Sequence, residues 1–336
     1  METPDLFEMK LLILIYLTLS FVTCDKNEIE SSFEDYEVNE VIIQEYHKIF
    51  ELGESSYDLI SIDSKRNFFF IDILEKKILK FDSEGVLIAK HGEIGNGPNQ
   101  FSENIALKGD INGNTLYIIE VGGFRVFEYD LNLEYKRELT MNNQAYQIDI
   151  VNSDSFLIAS SSNSINGLDL SMGLVDNKFK KYKQNTYSIN SQEFFYEMLF
   201  ELAYLGGGKY VFCYLATNRC KIQDYEQESE TIYFKVKNHE EKAEGEEKGF
   251  GRVVPNYLLF RDLFYDNVSD SIFLLEGIKE TDEYEGGNTI HVFKANGSYK
   301  LSYVLPFNVE QLYVVRDTLY LIRKDGLKNE IVTVHL

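Results

Sequence analysis

The sequence predicts an all-β fold, a six-bladed β-propeller with four antiparallel strands per blade. The first observation is a short apolar strand, introduced by a turn dipeptide, that recurs six times. The copies read Asn67-Phe-Phe-Phe-Ile-Asp, Asn114-Thr-Leu-Tyr-Ile-Ile-Glu, Asp154-Ser-Phe-Leu-Ile-Ala, Gly208-Lys-Tyr-Val-Phe-Cys, Asp270-Ser-Ile-Phe-Leu-Leu-Glu and Asp317-Thr-Leu-Tyr-Leu-Ile-Arg. The second is their spacing: the copies start 47, 40, 54, 62 and 47 residues apart. A period of about forty to fifty residues, with room for four short strands, marks this architecture. The third is turn chemistry. Asn-Gly and Glu-Gly pairs stand between aromatic and β-branched runs, where glycine tolerates the positive φ of a hairpin turn.

The strands can be placed in order. Unit one runs Leu59–Asp63, Phe68–Ile73, Lys77–Asp82 and Val86–Lys90. Unit two runs Ile105–Lys108, Leu116–Val121, Arg125–Tyr129 and Tyr135–Leu139, its first hairpin turned by Asp110-Ile-Asn-Gly-Asn114. In unit five, Phe293-Lys-Ala-Asn-Gly-Ser-Tyr299 repeats the outer hairpin. Unit six reaches only its third strand at Ile331–His335. Its fourth is expected from the amino-terminal run Val41–Leu52, which would close the ring without a free sheet edge. The acidic insertion Lys237–Gly249 reads as a mobile loop. Residues 40–336 are thus expected to form one domain.

In front of it stand two segments. Leu11–Val22 is an apolar run of twelve residues, preceded by Met9-Lys10 and ending before Cys24. It is too short to span a bilayer and suits the core of a secretory signal. Acidic Met1–Glu8 conflicts with the positive first region of a signal, so translation is expected to start at Met9. Cys24, in Phe21-Val-Thr-Cys24, resembles the lipid-modified cysteine of bacterial lipoproteins, although Phe21 and Thr23 depart from the usual Leu and Gly/Ala. The plain alternative is ordinary cleavage and a freely soluble protein. Residues 25–39 carry six acids against one lysine and should remain solvated as a tether. The expectation is export and a lipid anchor in the bacterial envelope, at the outer membrane, with the anchor as the membrane contact.

The formal net charge is −22. Nucleic-acid affinity depends on lysine and arginine replacing phosphate counterions, so a nucleic-acid partner is excluded. Docking onto anionic lipid is disfavoured for the same reason.

The loop between units one and two reads His91-Gly-Glu-Ile-Gly-Asn-Gly-Pro-Asn-Gln-Phe101. It resembles the Gly-x-x-Gly-x-Gly-Pro-x-x-Phe segment of NHL-type repeats. Joined to Phe81-Asp-Ser-Glu-Gly85, it resembles the six-bladed propeller lipoproteins of Bacteroides-like bacteria, over 59–129 in sequence and elsewhere in architecture. The resemblance implies an NHL-like propeller on a lipid anchor and implies no assigned activity. Physically, Gly92, Gly95 and Gly97 permit a tight reversal and Pro98 stiffens it. It is not a phosphate loop, because neither a Lys-Ser/Thr pair nor a helix pattern follows.

Catalytic signals are sparse. No two of His47, His91, His239, His291 and His335 have metal-ligand spacing. His47 and His335 fall on closing strands, His291 starts an outer strand, and His239 lies in the acidic insertion, where exposure explains it. His91 alone sits near a loop that could overhang the central channel. No Gly-x-Ser-x-Gly marks a nucleophile. Asp110-Ile-Asn-Gly-Asn114 begins like a calcium loop but has Thr115 and Val121 where glycine and glutamate are needed, so a hairpin turn explains it better.

Six-bladed lactonases hold a divalent cation on the axis through acidic and amide side chains. Asp63, Asp149, Glu120 and Glu276, near inner strands, are the candidate ligands for calcium or another divalent cation, with a solvated strand edge as the plainer reading. That idea predicts that Asp63→Ala or Asp149→Ala abolishes metal binding, whereas a scaffold would hardly notice either. Cys213 and Cys220 fall on either side of a tight hairpin, as a structural disulfide or two buried thiols; an oxidising compartment permits the bridge. Phe194, Phe195 and Tyr196, with Tyr257 and Phe260, precede inner strands and could line a ligand-binding mouth, although aromatic residues on strands mostly fill the space between blades.

The reading is an envelope-anchored propeller that binds an envelope protein, peptide or glycan, without a resident cofactor. The alternative is a metal-dependent hydrolase or lactonase with a divalent cation on the axis. Carboxylates from at least three blades converging on the axis would favour the alternative.

Overall fold

A computed structural model describes residues 36–336, except 55, 96, 104–105, 153–154, 165–166, 177–180, 189–198, 225–230, 249–251, 278–285 and 326–327. Two short strands open it, β1 (Glu40–Ile42) and β2 (His47–Gly53). Blade one is β3 (Tyr57–Ile62), β4 (Phe68–Asp72), β5 (Lys77–Phe81) and β6 (Leu87–His91). Blade two is β7 (Leu107–Asn112), β8 (Thr115–Glu120), β9 (Gly123–Asp130) and the first part of β10 (Tyr135–Asn152). The rest of β10 begins blade three, followed by β11 (Ser155–Ser164), β12 (Gly167–Asp176) and β13 (Lys181–Ser188). Blade four is β14 (Phe200–Gly206), β15 (Lys209–Tyr214), β16 (Arg219–Asp224) and β17 (Thr231–Phe234). A two-stranded ribbon, β18 (Gly245–Lys248) with β19 (Arg252–Pro255), leads to blade five, β20 (Phe260–Asp266), β21 (Ser271–Gly277), β22 (Gly286–Lys294) and β23 (Tyr299–Val304). Blade six is β24 (Gln311–Val315), β25 (Thr318–Asp325) and β26 (Lys328–His335), completed by β2.

Hydrogen bonding joins these strands into five sheets of four or more strands, one of which has seven. The seven-stranded sheet is two blades on one continuous strand. β10 pairs with β9 over Tyr135–Thr140 and with β11 over Gln144–Asn152, with an irregularity between Thr140 and Ala145 where it turns from one blade into the next. Six innermost strands therefore neighbour one another in a closed circuit, β3, β7, β10, β14, β20, β24 and back to β3.

All six recurring sequence strands become the second strand of a blade, namely β4, β8, β11, β15, β21 and β25. Such a strand is covered on both faces by neighbouring blades, so its apolar run is nearly continuous rather than alternating. β4 shows the consequence of the two-residue period. Phe69 and Ile71 pack toward blade two with Leu107, Leu116 and Phe127. Phe68 and Phe70 pack the other way, toward blade six, with Phe50, Tyr320 and Ile331. Six buried apolar clusters fill the six junctions between successive blades. Phe70 is fully buried and meets Phe81 edge-on at 5.7 Å. Phe70→Ala is expected to cost about 3–5 kcal/mol, since a cavity between two sheets cannot collapse fully. Equilibrium urea unfolding measures it, and a loss under 1 kcal/mol would show that this junction repacks freely.

The closing strand is β2, antiparallel to β26, as the sequence suggests. The residues before it behave differently: β1 runs parallel to β23 on the outside of blade five. Tyr36 and Asn39, within the expected tether, also dock there. Tyr36 stacks on Tyr299 at 4.2 Å, and the Asn39 carbonyl accepts the Ser302 N–H at 2.8 Å. The expected signal, Cys24 and tether residues 25–35 lie outside the described residues.

The insertion expected to be a mobile loop is packed where it is described. Its Glu241 carbonyl accepts the Asn218 N–H, its Ala243 N–H donates to Ala216, and β18 and β19 form the ribbon. Cys213 and Cys220 pair directly across β15 and β16 and are joined as a disulfide.

Candidate functional site: the central channel

Innermost strands of a propeller splay apart, so their inner edges have no ladder partner and their N–H groups need other acceptors. Here side chains on one strand reach the backbone of the next. The Asp149 carboxylate on β10 accepts the Tyr204 N–H on β14. Asp262 on β20 accepts the Leu312 N–H on β24 at 2.9 Å. The Gln311 amide oxygen on β24 accepts the Leu59 N–H on β3 at 2.7 Å, and its NH2 donates to Asp58 at 3.1 Å. Asp110 on β7 accepts the Ile111 N–H at 2.7 Å, and the Asp149 carboxylate, which accepts the Ile150 N–H at 2.7 Å, acts on it by its charge. Gln147 donates to the Phe200 carbonyl at 2.9 Å and to Glu201 at 2.8 Å, and Lys108 completes that group with a 2.6 Å ion pair to Glu201.

These residues border one channel of about 860 Å³ that touches all six innermost strands. Carboxylates from five blades face it: Asp58, Asp110, Asp149, Glu201 and Asp262. Asp266 and Glu310 also border it, and Lys108, Arg261 and Arg316 are the cations among them. Burial away from bulk water penalises the charged form of a carboxylate. Burial raises the Asp58 carboxyl above its ordinary range. Burial, then the charge of Asp149, raises Asp110 well above it. Burial pushes Asp149 up to about 6. Burial, then the charge of Glu201, pushes Asp262 up to about 7.

Of the four ligand candidates for an axial cation, only Asp149 faces the channel. Asp63 caps the β3–β4 turn, accepting the N–H groups of Lys65 and Asn67 at 2.9 and 2.8 Å. Glu120, buried at the end of β8, holds Arg125 at 2.6 Å and the Ser102 N–H at 2.8 Å, pinning the interblade loop. Glu276, at the end of β21, is paired with His239 at 2.8 Å away from the axis. Asp149 also clasps blade three to blade four through the Tyr204 N–H, so Asp149→Ala is expected to matter in a scaffold as well.

His91 ends the outermost strand of blade one rather than overhanging the channel. Its Nε2 is 2.9 Å from the Asn99 amide oxygen, and its ring lies 5.0 Å from that of Tyr129. The loop it starts is structural: Gly92 has φ +130°, where a Cβ would meet the Lys76 carbonyl at 2.5 Å, and Phe101 is sealed between blades one and two. Tyr257 and Phe260 are buried in the junction of blades four and five and form no ligand face; the Tyr257 hydroxyl donates to Glu240 at 2.6 Å. Phe194, Phe195 and Tyr196 lie outside the described residues. Asp58, Glu201 and Asp262 belong to no site motif in the sequence, and Asp110 reads there as a hairpin turn rather than a site residue. The available signal was an acid within the inner strand just before five of the six recurring strands, Asp58, Asp110, Asp149, Glu201 and Asp262.

The sequence matches no protein-family model and no curated protein. Solved structures similar to it are propellers. A luciferin-regenerating enzyme superimposes with a TM-score of 0.55 at 12% identity, over 87% of this chain and 95% of that one. The calcium-binding protein regucalcin from Agrobacterium tumefaciens gives 0.52 at 10% identity, over 88% and 95%. A member of the duf4221 family from Bacteroides vulgatus gives 0.52 at 11%, over 87% and 97%. Identities this low carry the architecture and no activity: the chain is a β-propeller.

Proposed function

We propose that this protein is an exported binding module, anchored in the bacterial envelope through Cys24, whose channel takes a polar ligand carrying positive charge. The carrying observation is the lining of the channel: carboxylates from five blades against Lys108, Arg261 and Arg316, in a chain of net charge −22. A cleft with an excess of one charge concentrates counter-charged solutes. The apolar run before Cys24, the acidic tether and the likeness to NHL-like propeller lipoproteins support the anchored placement. The natural ligand is a basic peptide or the basic face of an envelope protein.

The same convergence of carboxylates favours a second reading, a hydrolase with a divalent cation on the axis. Its difficulty is that Asp149 and Asp262 already spend oxygen lone pairs on backbone N–H groups of the next blade. Calorimetric titration with spermidine, trilysine and maltotriose tests the first reading. Binding of the two cations but not the sugar is expected, weakened by Asp58→Asn and Glu201→Gln. Equal heats from all three probes, or unchanged binding in both variants, would refute it. Calcium-dependent lactone hydrolysis lost in Asp149→Asn would install the second reading instead.

A further inference from the structure

Away from the channel, the packed insertion meets blade five at a group that no role described above uses. His239, Glu276 and His291 bring one ligand atom each within 4.8 Å of one another, the one such group of three His, Cys, Asp or Glu residues among the described residues. His239 Nε2 and Glu276 Oε1 are 2.8 Å apart. His291 is 7% exposed, and its Nε2 is buried without a hydrogen-bond partner. An orphaned buried ring nitrogen is uncommon and costs its full desolvation unless something occupies the space beside it.

The far side of the His291 ring explains which atom is offered. Nδ1 lies 2.9 Å from the Ser302 hydroxyl, which lies 2.8 Å from the Tyr299 hydroxyl, which donates to the Asn39 carbonyl at 3.2 Å. One proton arrangement satisfies the chain: Nδ1–H donates to Ser302, Ser302 to Tyr299, and Tyr299 to Asn39. That tautomer leaves the lone pair on Nε2, aimed at His239 and Glu276. Metal-bound histidines are held in this way, one nitrogen fixed by a hydrogen bond so that the other faces the ion.

We propose that His239, Glu276 and His291 form a divalent-cation site of zinc type, which fastens the 237–244 segment to blade five. Two imidazoles and a carboxylate suit zinc rather than calcium or magnesium, which take oxygen ligands. Donor atoms around tetrahedral zinc are about 3.3 Å apart, so small side-chain rotations bring these three into range and leave the fourth position to water. Zinc would take the place of the His239–Glu276 hydrogen bond and give the His291 nitrogen its partner. Metal affinity should therefore fall as pH drops.

The test is a titration of the full chain, without a polyhistidine tag, first with Co²⁺ followed by visible absorption and then with Zn²⁺ against a chelating indicator. One equivalent of each should bind, with the Co²⁺ bands of a four-coordinate nitrogen and oxygen site. His239→Gln, whose amide can still donate to Glu276 and so keep the packing, should weaken Zn²⁺ binding by roughly 100-fold. His291→Gln should do the same. No saturable binding in the wild type overturns the site. So does full affinity in His239→Gln. Loss of binding in Asp262→Asn with retention in His239→Gln would place the cation in the channel and equally overturn it.

Discussion

A chain that begins at Glu54 is expected to lose its cooperative unfolding transition, whereas one that begins at Tyr36 should keep it. The shortened chain lacks β2, whose ladder with β26 runs from His47–Thr333 to Gly53–Asn329. It also lacks Phe50 and Leu52, both under 9% exposed in the junction of blades six and one. Phe50 is fitted closely to the turn of blade one, where a Cβ on Gly85 would meet it at 2.3 Å. Burying each such side chain is worth about 1.5–3 kcal/mol. Lys48 goes as well, leaving buried Glu330 with Arg323 alone, at 2.6 Å. Against a total stability of about 5–15 kcal/mol, these losses together leave little. The open ring would also expose the edge of β26, an invitation to pair with another chain. Removing only β1 is a useful contrast, because its three residues are all exposed and pair at the outside of blade five. Circular-dichroism melts of the three chains decide the matter; a Glu54 chain melting within a few degrees of the longest would show that closure by β2 is dispensable.

What the sequence disclosed and what it hid follow from burial. The second strand of each blade is covered on both faces, so Phe68–Asp72 and Thr115–Glu120 stand out as nearly unbroken apolar runs. The ring could be counted from them. The innermost strands carry one face of channel polarity and are interrupted by bulges, as between Leu59 and Ser61 or between Phe260 and Asp262. Their mixed pattern resembles an edge, and attention went to Asp63, a turn cap, instead of Asp58 five residues earlier. Ending the second blade at Leu139 missed that β10 continues to Asn152, because polar Thr140–Gln144 reads as a loop where it is the bend between blades. Glu276 was noticed for the wrong position, and its partner His239 was assigned to solvent because its neighbours are acidic. Contacts across 37 residues of chain leave no local pattern.

Mild acidification is expected to stabilise the protein, and the channel aspartates are the cause. Asp149 titrates near 6 and Asp262 near 7 in the folded chain, against about 3.9 for an unfolded aspartate. The folded state therefore binds more protons than the unfolded state over the interval between. The stability these groups contribute is complete below about 4 and is lost as pH rises through 6 to 7. Asp58 and Asp110, also raised by burial, act in the same direction. Glu120, Glu276 and Glu330 are lowered, so their opposing effect falls below the ordinary carboxylate range. His291, lowered to about 4 by burial, opposes only below about 6.5. The window from pH 8 to 6.5 thus isolates the aspartates, and the melting midpoint should rise by roughly 2–5 °C across it. Asp149→Asn with Asp262→Asn should flatten that slope, because an amide keeps an acceptor oxygen without a titrating proton. Asp262→Ala should instead lower the midpoint at every pH, since the N–H groups of Leu263 and Leu312 both lose their acceptor. An unsatisfied buried donor costs about 1–3 kcal/mol, so the pair places the loss near 2–6 kcal/mol. An unchanged slope in the double asparagine variant would assign the pH response to other groups. An alanine variant as stable as the parent would show that the clasp between blades five and six is not needed to hold the ring.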